Sequence, residues 1–136
     1  MTAMHALTES ECWERLGSRR VGRIGFDRGR GQRIHPVNYA AESGALYLTT
    51  SPDSELGVFS ELFATGAQVA FQIDELDEDA EQWSVLVLGQ LEPMDSADAA
   101  DVPGLRDPAP GRPEGHDALV LRLTPVQVTG RRRSDS

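Results

Sequence analysis

The stretch Arg33–Thr50, RIHPVNYAAESGALYLTT, decides the fold. It reads as two strands about a tight turn. In the first, RIHPVNYAA, Pro36 lacks a backbone donor and so belongs at a sheet edge or a bulge. The triplet ESG has turn chemistry. ALYLTT follows as the second strand. Upstream, RVGRIGFD sets Val21, Ile24 and Phe26 around Gly22 and Gly25, a strand with close backbone approach at its glycines. RGRGQ turns it into the stretch above. Three strands joined by short turns make an antiparallel meander.

The flanks extend this pattern. TESECWERLGS opens with a capping box, Thr8 with Glu11, and Cys12, Trp13 and Leu16 recur at helical spacing, which predicts a helix over about 9–17. After the meander, Ser51 or Asp53 caps a helix through SELGVFSELFA, with Leu56, Phe59, Leu62 and Phe63 on one face and Gly66 as its stop. AQVAFQID is a fourth strand, ELDEDAEQ an acidic loop, and WSVLVLGQLEP a fifth strand apolar enough to be buried on both faces. Residues 95–117 are rich in proline and small polar residues and read as a mobile loop with a short helix near SADAADV. ALVLRLTPVQVTGRR is a sixth strand, broken or bulged at Pro125, and 131–136 reads as a flexible tail. There is no internal repeat. Strands outnumber helices and few parallel crossovers are available, so the expected architecture is a small antiparallel β-barrel with helices at its ends.

The 136 residues suit one domain, 1–136. The formal charge of −9, from 22 acidic and 13 basic residues, argues against nucleic acid and anionic membranes as partners. All of the basic residues are arginine. The single Cys12 excludes an internal disulfide and reads as a buried, inert thiol. No apolar run reaches the roughly 20 residues of a membrane span, and the first residues lack the apolar core of a signal peptide, so the expected location is cytoplasmic. His5, His35 and His116 are scattered and give no metal-ligand spacing. The acidic run 74–81 reads as a solvated loop.

The turn LYLTTSPDSEL, 46–56, carries chemistry. Tyr47, Thr49, Thr50, Ser51 and Ser54 surround a helix start, where backbone N–H groups and hydroxyls can hold an anion. Arginine or lysine, the usual companions of a phosphate, are missing from it, and Asp53 and Glu55 stand there instead.

In order and separation, GRIGF, HPVNYAAESGALYLTT with SEL, and VAFQIDELDEDAEQWSVLVLGQLE, framed by LTESECWERL and RLTPVQVTGRR, resemble the pyridoxamine 5′-phosphate oxidase-like family. The nearest pattern is that of its small actinobacterial flavin-binding members, related to the nitroimidazole-reductase type. The resemblance covers residues 7–133, and PVNY and WSVLV are its most specific pieces. It implies a mainly β fold, a split antiparallel β-barrel of the FMN-binding type. It also implies a homodimer with two cofactor sites at the interface, and a flavin-dependent oxidoreductase acting on a small molecule. By position, His35, Pro36, Val37 and Asn38 would lie beside the isoalloxazine ring of FMN. Thr49, Thr50, Ser54 and Glu55 would lie at its phosphate, and Trp83, Ser84 and Val85 would approach the ring, across the dimer in one arrangement. Arg131 and Arg132 would end near the site. The family usually has arginine or histidine at position 49 and lysine at 55. Without those charges, a deazaflavin, haem or an uncharged ligand, or a cofactor-free barrel serving as a binding or scaffold dimer, stands beside FMN. His35 is the candidate proton donor, with an imidazole that titrates near neutrality. Trp83 reads equally as a core or dimer residue, and Arg131–Arg133 as a solvated run or a replacement phosphate partner.

Overall fold

Every strand in the barrel alternates between a face turned inward and a face turned out, and this period of two builds the fold. The computed structural model describes residues 2–29, 31–63, 66–99, 102 and 118–135. In chain order the elements are β1 (Thr2–Ala6), α1 (Glu9–Gly17), β2 (Val21–Asp27), β3 (Gln32–Glu42), β4 (Ala45–Thr50), α2 (Glu55–Leu62), β5 (Ala67–Glu75), β6 (Trp83–Pro93), α3 (Ser96–Ala99) and β7 (Leu119–Asp135). The sheet order is β1-β7-β4-β3-β2-β5-β6, and β7 pairs with β6 as well, so six strands close into an antiparallel barrel with β1 added outside. Closure removes the sheet edges that would otherwise invite pairing with other chains. This is the split-barrel class expected from the sequence, and β2–β3–β4 is the meander.

Inward side chains fill the barrel. Ile24, Leu46, Leu48, Phe71, Val85, Val87, Leu121 and Leu123 are all fully buried. Each contributes about 1.5–3 kcal/mol by leaving water. Glycine permits one close crossing: a Cβ on Gly89 would meet the Thr124 carbonyl oxygen at 2.3 Å. The register between β6 and β7 shifts there, between Leu88 and Gly89, so Val126 bulges outward beside Pro125. That is the irregularity expected at Pro125. Pro36 lies just past the last β4-paired residue of β3, Asn38, on an edge, as its missing donor requires.

The two longer helices plug opposite ends. Thr8 and Glu11 form the capping box of α1, whose Cys12 and Leu16 enter the core. The Tyr39 hydroxyl donates to the Leu16 carbonyl at 2.6 Å and fastens α1 to β3. At the other end α2 lays Phe59 on Phe26, ring centroids 4.8 Å apart. A Cβ on Gly57 would stand 2.4 Å from the Ser51 carbonyl oxygen, so the helix rests directly on the turn before it.

Several expectations give way. The N-cap of α2 is Ser54, whose hydroxyl accepts from Gly57 N at 3.0 Å, not Ser51 or Asp53. Leu62 and Phe63 are exposed, because the helix leaves the barrel end before its last turn. Strand β6 is buried on one face only: Leu86 and Leu88 point outward, as any barrel strand demands. Residues 131–135 are not a flexible tail but the end of β7, held between β6 and the unforeseen β1. Of the expected mobile loop 95–117, residues 96–99 form α3, while 100, 101 and 103–117, with His116, lie outside the described residues.

Candidate functional site

At the α2 end, one carboxylate gathers three donors. Glu55 is the first residue of α2, and its side chain turns back over the β2–β3 hairpin. His35 Nε2 donates to Glu55 Oε1 at 2.8 Å; a carboxylate only accepts, so this nitrogen carries the proton. Arg33 Nε lies 3.3 Å from the same oxygen, and Arg28 pairs with Glu55 Oε2. The His35 hydrogen bond, followed by the charges of Arg28 and Arg33, holds the Glu55 carboxyl below its ordinary range. Position follows from register. Ile24 pairs with His35 and Phe26 with Arg33, so both side chains share the inward face of β3 and emerge where the barrel ends. The Phe26 ring supports the imidazole, 5.5 Å between centroids.

The hydroxyls of the turn are committed close by. Thr50 Oγ1 and Ser54 Oγ are 2.7 Å apart, and Ser54 Oγ donates to the Ser51 carbonyl at 2.7 Å. Ser51 bonds to Asp53. Thr49 is buried and stands opposite Asn38 across the β3–β4 pair. Val37 faces the core, which leaves only its backbone available, whereas Pro36 lines a small cleft with Val21, Arg23 and Asp74.

Trp83, Ser84, Val85 and Arg131 stand at the other end. The Trp83 ring contacts two guanidinium groups of the α1 region, Arg15 at 5.2 Å and Arg19 at 5.1 Å from its centroid. Those arginines in turn pair with Glu81 at 2.6 Å and Glu75 at 3.3 Å. Val85 is fully buried, and Ser84 pairs with Arg131 in register. Within one chain, then, His35, Thr50, Ser54 and Glu55 come together, and Trp83, Ser84 and Arg131 do not join them.

Between the ends, the outer face of the barrel carries an open groove of ≈ 600 Å³. Gly25, Ile34, Ala70, Leu88 and Val126 contribute to its wall. Ile34 is 73% exposed and Val126 78%, and both are apolar.

Sequence reasoning missed Arg28 and Arg33. They lie in the hairpin RGRGQR, whose glycines read as turn chemistry alone. The available signal was parity: Arg33 and His35 are two apart on one strand, hence on one face. Among the described residues no cluster of histidine, cysteine and carboxylates could hold a metal ion, and no helix is long and apolar enough to cross a membrane.

The family model described as pyridoxamine 5′-phosphate oxidase matches residues 8–132. Among solved structures, a candidate pyridoxamine 5′-phosphate oxidase from Corynebacterium glutamicum is 27% identical at a TM-score of 0.74, covering 95% of this chain and 92% of its own. An FAD binding protein from Mycobacterium smegmatis is also 27% identical, with a TM-score of 0.68 and coverage of 96% and 98%. An FAD and heme binding protein from the same organism shares the fold at 17% identity and a TM-score of 0.66, over 92% of this chain and 71% of its own. No curated protein matches the chain.

Proposed function

The chain belongs to the pyridoxamine 5′-phosphate oxidase family, and from that premise we propose that it is a homodimeric, FMN-dependent oxidoreductase acting on a small molecule. The observation that carries the reading is the convergence of Arg28, Arg33 and His35 at the start of α2. The turn 49–55 lacks basic residues of its own, and the β2–β3 hairpin brings them from elsewhere in the chain. Two guanidinium groups and an imidazole N–H fit an anionic phosphate. A bound flavin supplies hydride transfer; the protein orients it and excludes water. His35 Nε2 already carries a proton in this site and is the group placed to hold one.

The dimer is proposed on two grounds. Ile34, Leu86, Leu88 and Val126 leave an apolar outer face on the barrel, of the kind that marks an interface. In addition, Trp83, Ser84 and Arg131 can reach a site at the α2 end only if a second copy supplies them.

Titration of the purified protein with FMN, FAD and riboflavin tests the cofactor. Visible flavin absorbance, or quenching of flavin fluorescence with FMN bound well above riboflavin, is the expected result. The second reading, a barrel that takes a deazaflavin or haem or serves as a scaffold dimer, is favoured by Glu55, whose carboxylate already occupies the cationic cluster and offsets part of its charge. A protein that takes up no flavin, or takes up haem instead, decides for it. Light scattering at micromolar concentration is expected to give twice the chain mass. A monomer would remove the shared site.

A further inference from the structure

We propose that Glu55 is a tethered competitor: its carboxylate occupies a three-donor anion site made by Arg28, Arg33 and His35, and a phosphate monoester dianion takes the site by displacing it. This deepens the proposed reading, since the flavin phosphate is such a group, but it concerns the site rather than the flavin and is tested without one.

The donors around Glu55 outnumber its oxygens. Three donors converge on a group that has two acceptor atoms. Glu55 Oε1 accepts from His35 at 2.8 Å, while Oε2 is shared by Arg28 and by Arg33 Nε, the latter at 3.4 Å. A phosphate monoester presents three peripheral oxygens, one for each donor, and about twice the charge. With Glu55 in place the two arginines and one carboxylate leave a net positive charge of about one. Removing the carboxylate leaves two.

Release is mechanically simple. Glu55 sits at the start of α2, its side chain remains partly open to solvent, and Ser54 rather than Glu55 caps the helix. The carboxylate can swing outward without unfolding the helix. Its covalent attachment gives it a high effective concentration, so a free carboxylate of equal charge cannot replace it. The site therefore discriminates. Monoanionic carboxylates are excluded by a group of their own kind, and dianionic phosphates enter.

The probes are inorganic phosphate and acetate, each titrated at constant ionic strength into wild type, Glu55→Gln and Glu55→Gln/Arg33→Gln. Binding is read by calorimetry and by the imidazole resonances of His35, with circular dichroism as a check on the fold. In wild type, phosphate should shift the His35 resonances weakly and acetate should leave them unmoved. Glu55→Gln should raise phosphate affinity by about tenfold, the scale of one partly exposed charge pair, and make it more sensitive to salt. Adding Arg33→Gln should cancel that gain. The proposal is overturned if acetate moves His35 in wild type as phosphate does, if Glu55→Gln leaves phosphate affinity unchanged, or if the gain survives loss of Arg33. The wild-type comparison stands alone should a variant not fold. Failure of FMN to bind while phosphate behaves as stated would remove the flavin and keep the site.

Discussion

Replacing Gly57 by alanine sets two effects of similar size against each other. Within a helix, alanine is favoured over glycine by about 1 kcal/mol. Yet the new Cβ would stand 2.4 Å from the Ser51 carbonyl oxygen and 2.9 Å from that of Pro52, both backbone atoms that cannot rotate away. Relief requires α2 to lift off the turn. Forced overpacking of this kind costs about 1–3 kcal/mol, and the lift also loosens Phe59 from Phe26. The steric term wins, leaving a net loss of up to about 2 kcal/mol and a fall in Tm of up to about 10 °C for a domain of this size. Gly17 is the internal control. It closes α1 with nothing within 4 Å of its virtual Cβ, so Gly17→Ala should keep the propensity gain, up to about 1 kcal/mol. Urea unfolding of the two variants beside wild type measures both signs. If Gly57→Ala proves as stabilising as Gly17→Ala, α2 does not rest on residues 51–52, and the placement of Glu55 over the hairpin fails with it.

Two further outcomes are expected. Cys12 is fully buried, and burial pushes its thiol up, so a thiol reagent should leave the native protein unlabelled and react in denaturant; fast native labelling would mean that α1 does not plug its end of the barrel. The Glu55 carboxyl is held below its ordinary value of 4.5, so its contacts add stability above that pH and lose it as pH falls through the lower value in the fold. The stability advantage of wild type over Glu55→Gln in urea should accordingly be present at pH 7 and vanish in strong acid; an advantage that persists there would mean the ion pairs do not form.

Much of this was legible in the sequence because it is local. The capping box at Thr8, the three-strand meander and the break at Pro125 are each fixed by a few adjacent residues, and the structure has all of them. Strand β1 was not legible: Thr2–Ala6 carries no marked alternation, and it is a strand only because the far end of β7 offers an edge. The same distance hid the site. Glu55 and Arg28 are 27 residues apart, and they meet only because α2 sits back against the β2–β3 hairpin. On the turn alone, an acidic residue at 55 argues against an anion. Once Arg28 and Arg33 reach it, the same residue marks where an anion fits.

Strand β7 carries a consequence for the making of the protein. One edge runs along β6, while the other serves β4 with its first residues and β1 with its last. During synthesis β1 to β6 emerge before β7, so β4 and β6 each wait with an open edge that only this late strand can satisfy. Most native contacts lie far apart in sequence, which slows barrel closure and prolongs that exposure. The vulnerable interval is thus the ribosomal one. Variants that weaken β7 should be lost in the cell to aggregation or proteolysis before any defect in the site can be seen.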